Sequence, residues 1–133
     1  MPEIKYLHSE ITKQILQAFY QVYNNLGYCF DKLMYIKAMV TELKVHELRC
    51  EAHKNITIFY NAHDLGDIIT DIIVESKILI KMETKDKIDL DSGRVLYNYL
   101  HASELEVGLL LNFGKMPEQN RKFCASATKQ NLS

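Results

Sequence analysis

Apolar residues fall at spacings of three and four along the first third of the chain. Ile11, Ile15, Ala18, Phe19, Val22 and Leu26 share one helical stripe, with Ser9 placed as a cap and Gly27 as a stop. This pattern predicts a first helix over 9–26. Leu33, Met34, Ile36, Met39, Val40 and Leu43 carry a second helix over about 31–44. The period then changes. Residues 46–61 are rich in β-branched and aromatic side chains and break at His53-Lys54-Asn55, which reads as a hairpin, and Asn61-Ala62-His63-Asp64 reads as a second turn. Residues 67–74 and 77–83 form a further hairpin with Glu75-Ser76 at its tip. Leu96, Tyr97, Tyr99, Leu100 and Leu105 suggest a third helix over 91–102. Residues 107–113 are a continuous apolar run, the pattern of a strand buried on both faces. A short last strand is expected near 121–125. The element order α-α-β-β-β-β-α-β describes a mixed α/β domain over 1–125 with a central sheet, followed by a small, polar, frayed tail over 126–133.

Composition narrows the classes of function. The chain has 133 residues, 47% apolar and 25% charged, which suits one globular domain with a real core. A net charge of −1 does not advertise nucleic-acid binding, so any basic surface must be local. No apolar run reaches the length of a membrane span, and the N-terminus lacks the pattern of a signal peptide. Cys29, Cys50 and Cys124 are an odd count without paired spacing and read as free buried thiols. A reducing, cytoplasmic setting is therefore expected.

The chemistry-bearing stretch lies mid-chain. Asp71 ends one apolar segment and Lys81-Met82-Glu83 ends the next. Residues i and i+2 of a strand face the same side, roughly 7 Å apart, so Lys81 and Glu83 point the same way. An acid followed by a charged pair on the next strand is the skeleton Asp…Glu-x-Lys of metal-dependent nucleases, with the pair reversed here.

Four stretches in order resemble one family. His8-Ser9-Glu10-Ile11-Thr12 opens the first helix, and the run from Asn25-Leu26-Gly27 to Tyr35 lies at a glycine-to-tyrosine motif. Leu65-Gly66 through Glu83 covers the hairpin, and Tyr97 through Gly114 covers the last helix and buried strand. The chain resembles the GxxExxY proteins, a branch of the PD-(D/E)XK nuclease superfamily, over about 8–123. The resemblance implies a restriction-endonuclease-like core, with a mixed central sheet flanked by helices. It also implies two acids that hold a magnesium ion, which orients a water and neutralises the scissile phosphate, while a lysine assists. The departures fall on polar positions. Gly27 and Tyr35 are kept, but the second glycine position holds Cys29 and the glutamate position holds Lys32. Gln21 stands where an acid often stands, Val95 where a glutamine often does, and Glu-x-Lys falls on Lys81 and Glu83.

Two readings of the site follow. In the first, Lys81 pairs with Asp71, supplies the positive charge magnesium would supply, and leaves an inactive relic. In the second, the site has migrated: if the strand continues to Lys85, Glu83-Thr84-Lys85 is itself Glu-x-Lys, with Asp71 and Glu83 as magnesium ligands and Lys85 as catalytic lysine. The first is preferred, so no cofactor is expected, and the domain is expected to act by binding a protein partner or as a homo-oligomer. A nucleic-acid-binding module without cleavage is the third reading. His8, His46, His53, His63 and His101 lack metal-ligand spacing and read as surface or turn residues. Tyr20, Tyr23, Tyr35, Tyr97 and Tyr99 read as half-buried core, and Lys115, Arg121, Lys122 and Lys129 as a solvated basic edge.

Overall fold

A computed structural model describes residues 7–129. Helices α1 (Ser9–Leu26) and α2 (Lys32–Val45) are followed by β1 (Cys50–Ala52), β2 (Asn55–Tyr60), β3 (His63–Ile69), β4 (Ile72–Val74) and β5 (Ile78–Glu83). Helix α3 (Leu90–His101), β6 (Val107–Phe113), β7 (Pro117–Phe123) and a 3-10 turn (Ser126–Thr128) follow among the described residues. Five strands form one sheet in the order β1-β4-β5-β6-β7, while β2 and β3 form a separate ribbon. β5 and β6 are parallel and joined through α3; the other pairs are antiparallel.

The sheet is covered on both faces, and alternation along each strand decides which residues go where. Ile72, Val74, Ile78, Ile80 and Met82 face α1 and α2, together with Val107, Leu109, Leu111 and Phe113. Ile73, Leu79 and Leu110 face the other way, onto Leu96 and Leu100 of α3. The interior strand β6 therefore has no solvent face, and all seven of its residues are buried. Gly108 lets α3 lie close on β6, since a Cβ there would stand 2.8 Å from the Leu96 Cδ1.

Helix ends follow local chemistry. Asp31 caps α2 by accepting the Met34 N–H at 3.0 Å, and Asp89 caps α3 by accepting the Ser92 N–H at 2.8 Å. Gly27 ends α1 at φ +71°, a left-handed conformation that favours glycine, with its N–H on the Tyr23 carbonyl. Ser9 is not the cap of α1. That position belongs to His8, in left-handed conformation and without a capping side-chain bond, and Ser9 is the first helical residue.

Several expectations are corrected. Residues 46–61 are not a hairpin: β1 joins the main sheet through β4, and β2 pairs with β3. Likewise 67–74 is not one strand, because Asp67 to Ile69 end the ribbon and Ile72 begins β4. The tip at Glu75-Ser76 is as expected, with both residues at positive φ between β4 and β5. The last strand is Pro117–Phe123, longer and earlier than 121–125. Of the expected tail, Ser126–Thr128 is a 3-10 turn and Lys129 is buried; 130–133 lie outside the described residues. Lys129 is thus no part of a basic edge, since its ammonium donates to the carbonyls of Ser103 and Leu105. All three cysteines are unpaired, but only Cys124 is buried and Cys29 is exposed. Tyr35 is fully buried, whereas Tyr20 is 39% exposed.

Candidate functional site

The site begins at the corner between α1 and α2. Tyr35 lies flat against Phe113, ring centroids 4.1 Å apart, and is fully buried. Its hydroxyl donates to the Gly27 carbonyl at 2.6 Å and accepts the Phe30 N–H at 3.3 Å. Gly27 and Tyr35 are therefore tied to each other. Their tie holds the loop that starts α2, and the first residue of α2 is Lys32.

Lys32 reaches the sheet. Its Nζ lies 2.8 Å from Oδ1 of Asp71, whose side chain is 13% exposed. The other oxygen, Oδ2, accepts the Met82 N–H at 2.7 Å. Asp71 sits in the bend between β3 and β4, next to the end of β5. The expected Lys81–Asp71 pair does not form. Lys81 turns along its own strand to Glu83, Nζ to Oε1 at 2.9 Å. The two side chains share a strand face, so an intrastrand pair is within reach, while Lys32 comes in from a different element and takes the aspartate.

Glu83 is the most enclosed acid of the group, at 8% exposure. The Ser92 hydroxyl donates to its Oε2 at 2.7 Å. That hydroxyl also lies 3.0 Å from Oδ1 of Asp89, but it carries one proton, and the shorter contact is to Glu83. Lys85 stands 3.6 Å from Oε2 of Glu83, 3.3 Å from Asp89 and 3.0 Å from the Ser92 hydroxyl. Burial alone raises the Glu83 carboxyl pKa; the Ser92 hydrogen bond and the ammonium groups of Lys81 and Lys85 outweigh it and hold the carboxyl below its ordinary range. The Asp89 carboxyl is held low as well, first by the Ser92 N–H.

β5 ends at Glu83, so the strand does not continue to Lys85 as the migrated reading required. Lys85 is placed by the backbone instead. Its N–H donates to Oδ1 of Asn112 and its carbonyl accepts from Nδ2 of Asn112, both at 2.9 Å. Asn112 is wholly buried and also donates to Oε1 of Glu118 at 3.0 Å. Ser92, Asp89, Asn112 and Glu118 were missed from sequence. The signals were present: Asp89 and Ser92 have N-cap spacing, and Asn112 is the one polar residue in 107–113.

A cleft of about 130 Å³ opens beside the centre, lined by Lys32, Thr70, Asp71, Lys81 and Tyr99, with Ile69 at its rim. Gln21 is exposed and lines a groove between α1 and β7, while Val95 is half-buried on α3; neither lines the cleft. A magnesium site needs several oxygen donors in near-octahedral array at about 2.0–2.1 Å. Here each of the two acids already holds a lysine ammonium, and the cleft offers Asp71 as its only carboxylate. Among the described residues no three His, Cys, Asp or Glu side chains are grouped to hold a metal. The donor set does not fit the ion that the resemblance implies. The five histidines do not converge either.

The model of the PD-(D/E)XK nuclease superfamily matches residues 9–123. No curated protein and no solved structure matches the chain. Among the described residues no helix is long and apolar enough to cross a membrane.

Proposed function

The chain belongs to the PD-(D/E)XK nuclease superfamily, and we propose that it is a non-cleaving member that works by binding another macromolecule, a protein or a second copy of itself. The observation that carries this reading is the closure of the charged centre by its own lysines, Lys32 on Asp71 and Lys81 on Glu83. An ammonium group at 2.8 Å from a carboxylate supplies the positive charge that a divalent ion would supply, and repels that ion. Within the superfamily the resemblance is to the GxxExxY branch, on Gly27, Tyr35 and Asp71, with Lys32, Lys81 and Glu83 as the exchanged positions.

A protein partner is favoured over nucleic acid by charge. The net charge is −1. The ribbon β2–β3 that rises next to the cleft carries Asp64 and Asp67 and no lysine or arginine between Asn55 and Ile69. Its exposed apolar residues, Tyr60, Leu65 and Ile69 at 58, 64 and 71% exposure, suit a protein surface better than a phosphate backbone.

The second reading, a magnesium-dependent nuclease using Asp71, Glu83 and Lys85, has one observation in its favour, the 3.6 Å approach of Lys85 to Glu83. Two measurements separate the readings. Millimolar magnesium or manganese should leave the melting temperature unchanged, because without a site there is no linkage. Purified protein with manganese should leave single- and double-stranded DNA and RNA intact. Cleavage abolished by both Asp71→Ala and Glu83→Ala would establish the nuclease, and loss in Lys85→Ala would assign the lysine. Salt-sensitive binding of uncut nucleic acid by a strict monomer would favour the third reading.

A further inference from the structure

β7 is the long free edge of the main sheet. It pairs with β6 on one side, and among the described residues no strand pairs with its other side. The opposite edge, β1, has only three residues against seven in β7. Along β7 Glu118 and Lys122 lie two residues to either side of Asn120, so the strand carries opposite charges at equal distances from its centre. We propose that a second copy of this chain docks on β7, the two strands pairing antiparallel about Asn120 to give one continuous ten-stranded sheet. The proposal rests on the reading of the domain as a binding protein and names its partner and surface.

In that register Glu118 of each copy stands opposite Lys122 of the other, and Gln119 opposite Arg121. Two-fold symmetry makes each pairing twice, and opposite charges directly across an antiparallel pair are stabilising. Pro117, which has no N–H to give, falls at the end of the ladder rather than its middle. Charged residues and proline on an edge strand also serve as guards against pairing. A guard works because like charges meet when two edges approach. Here antiparallel approach brings opposite charges together, and the residue that meets its own copy is the neutral Asn120.

The ground beside the edge fits the same occupant. Glu118 uses Oε1 to hold the Ile88 N–H and the Asn112 amide, and among the described residues its Oε2 accepts no hydrogen bond. The groove between α1 and β7 is lined by Leu16 and Tyr20 and by Thr12, whose hydroxyl is buried without a partner among the described residues. On the other side Leu90 is 93% exposed next to Pro117 to Asn120. An antiparallel second copy would bring α1 against α1 and cover both sides at once.

The experiment is sedimentation equilibrium of the full chain across micromolar concentrations. The expected mass is twice the 15.5 kDa of one chain. Asn120→Lys sets two ammonium groups face to face at the symmetry axis and should weaken dimerisation about tenfold or more. Lys122→Glu and Glu118→Lys should each weaken it alone, and mixing the two should restore a heterodimer, since both 118–122 cross-strand pairs are then Glu opposite Lys. If Glu118→Lys unfolds because Ile88 and Asn112 lose their anchor, Asn120→Lys and Lys122→Glu, checked for native circular dichroism, carry the test. A monomer at about 100 μM, or a dimer indifferent to both substitutions, overturns the proposal. A monomer that leaves nucleic acid uncut overturns this surface alone, while a dimer that cuts supports the surface and overturns the reading of the site.

Discussion

Glu83 is where the site's electrostatics bear on stability. The fold holds its carboxyl below the ordinary value of 4.5, so on acidification the unfolded chain takes up the proton first. The stability Glu83 contributes is complete above about pH 4.5 and is lost as pH falls from there through the lower folded pKa. Glu83→Gln keeps an acceptor for Lys81 but removes the negative charge that Lys81 and Lys85 face, and should cost about 1.5–3 kcal/mol at neutral pH, the range for a hydrogen bond to a charged group. The gap in melting temperature between wild type and Glu83→Gln should narrow below about pH 4.5. A gap that stays constant down to pH 3 would remove Glu83 as the titrating group. At this scale the sequence showed that Lys81 and Glu83 share a strand face, because that follows from the two-residue period of a strand. It did not show which acid each lysine takes. That choice depends on Lys32, about forty positions before Asp71, and on where the start of α2 lands on the sheet.

Among the elements, the corner between α1 and α2 is the part that aims Lys32. Tyr35→Phe keeps the stack on Phe113 and removes the hydroxyl that ties the Gly27 carbonyl and the Phe30 N–H. Leaving these backbone groups without a partner should lower stability by about 1–3 kcal/mol, read as a shift of the urea midpoint with an unchanged slope. A midpoint within error of wild type would show that the tie holds nothing. Helix spans and the buried run at 107–113 were legible because their periods are local. Strand partners were not. β1 and β2 follow each other closely and look like the arms of a hairpin, yet one pairs with β4 and the other with β3. Two adjacent β-rich segments say nothing about which distant strand completes each ladder. The polar Asn112 in an apolar strand was the local sign that the loop carrying Lys85 is clamped there.

For the whole molecule, the fold encloses a centre in which each acid is held by a lysine, Asp71 by Lys32 and Glu83 by Lys81. The superfamily model matches residues 9–123, and on the proposed likeness to the GxxExxY branch Lys32 and Lys81 stand where acids would be expected, with Glu83 where lysine would. If charge alone separates this centre from a metal site, reversing the exchange should create one. The triple variant Lys32→Glu, Lys81→Glu, Glu83→Lys places three carboxylates around the cleft of about 130 Å³, counting Asp71, and returns a lysine to the end of β5. Without metal these like charges repel, so the variant should melt below wild type. With magnesium or manganese at 100 times the dissociation constant it should regain about 2.7 kcal/mol, by mass action on the folded state. Wild type under the same titration should not move. Adding Asp71→Asn to the triple variant should abolish the gain, because it removes an oxygen charge from the ligand set without changing its shape. A folded triple variant that ignores both metals would mean that the geometry of the centre, and not only its charge, has left the nuclease pattern.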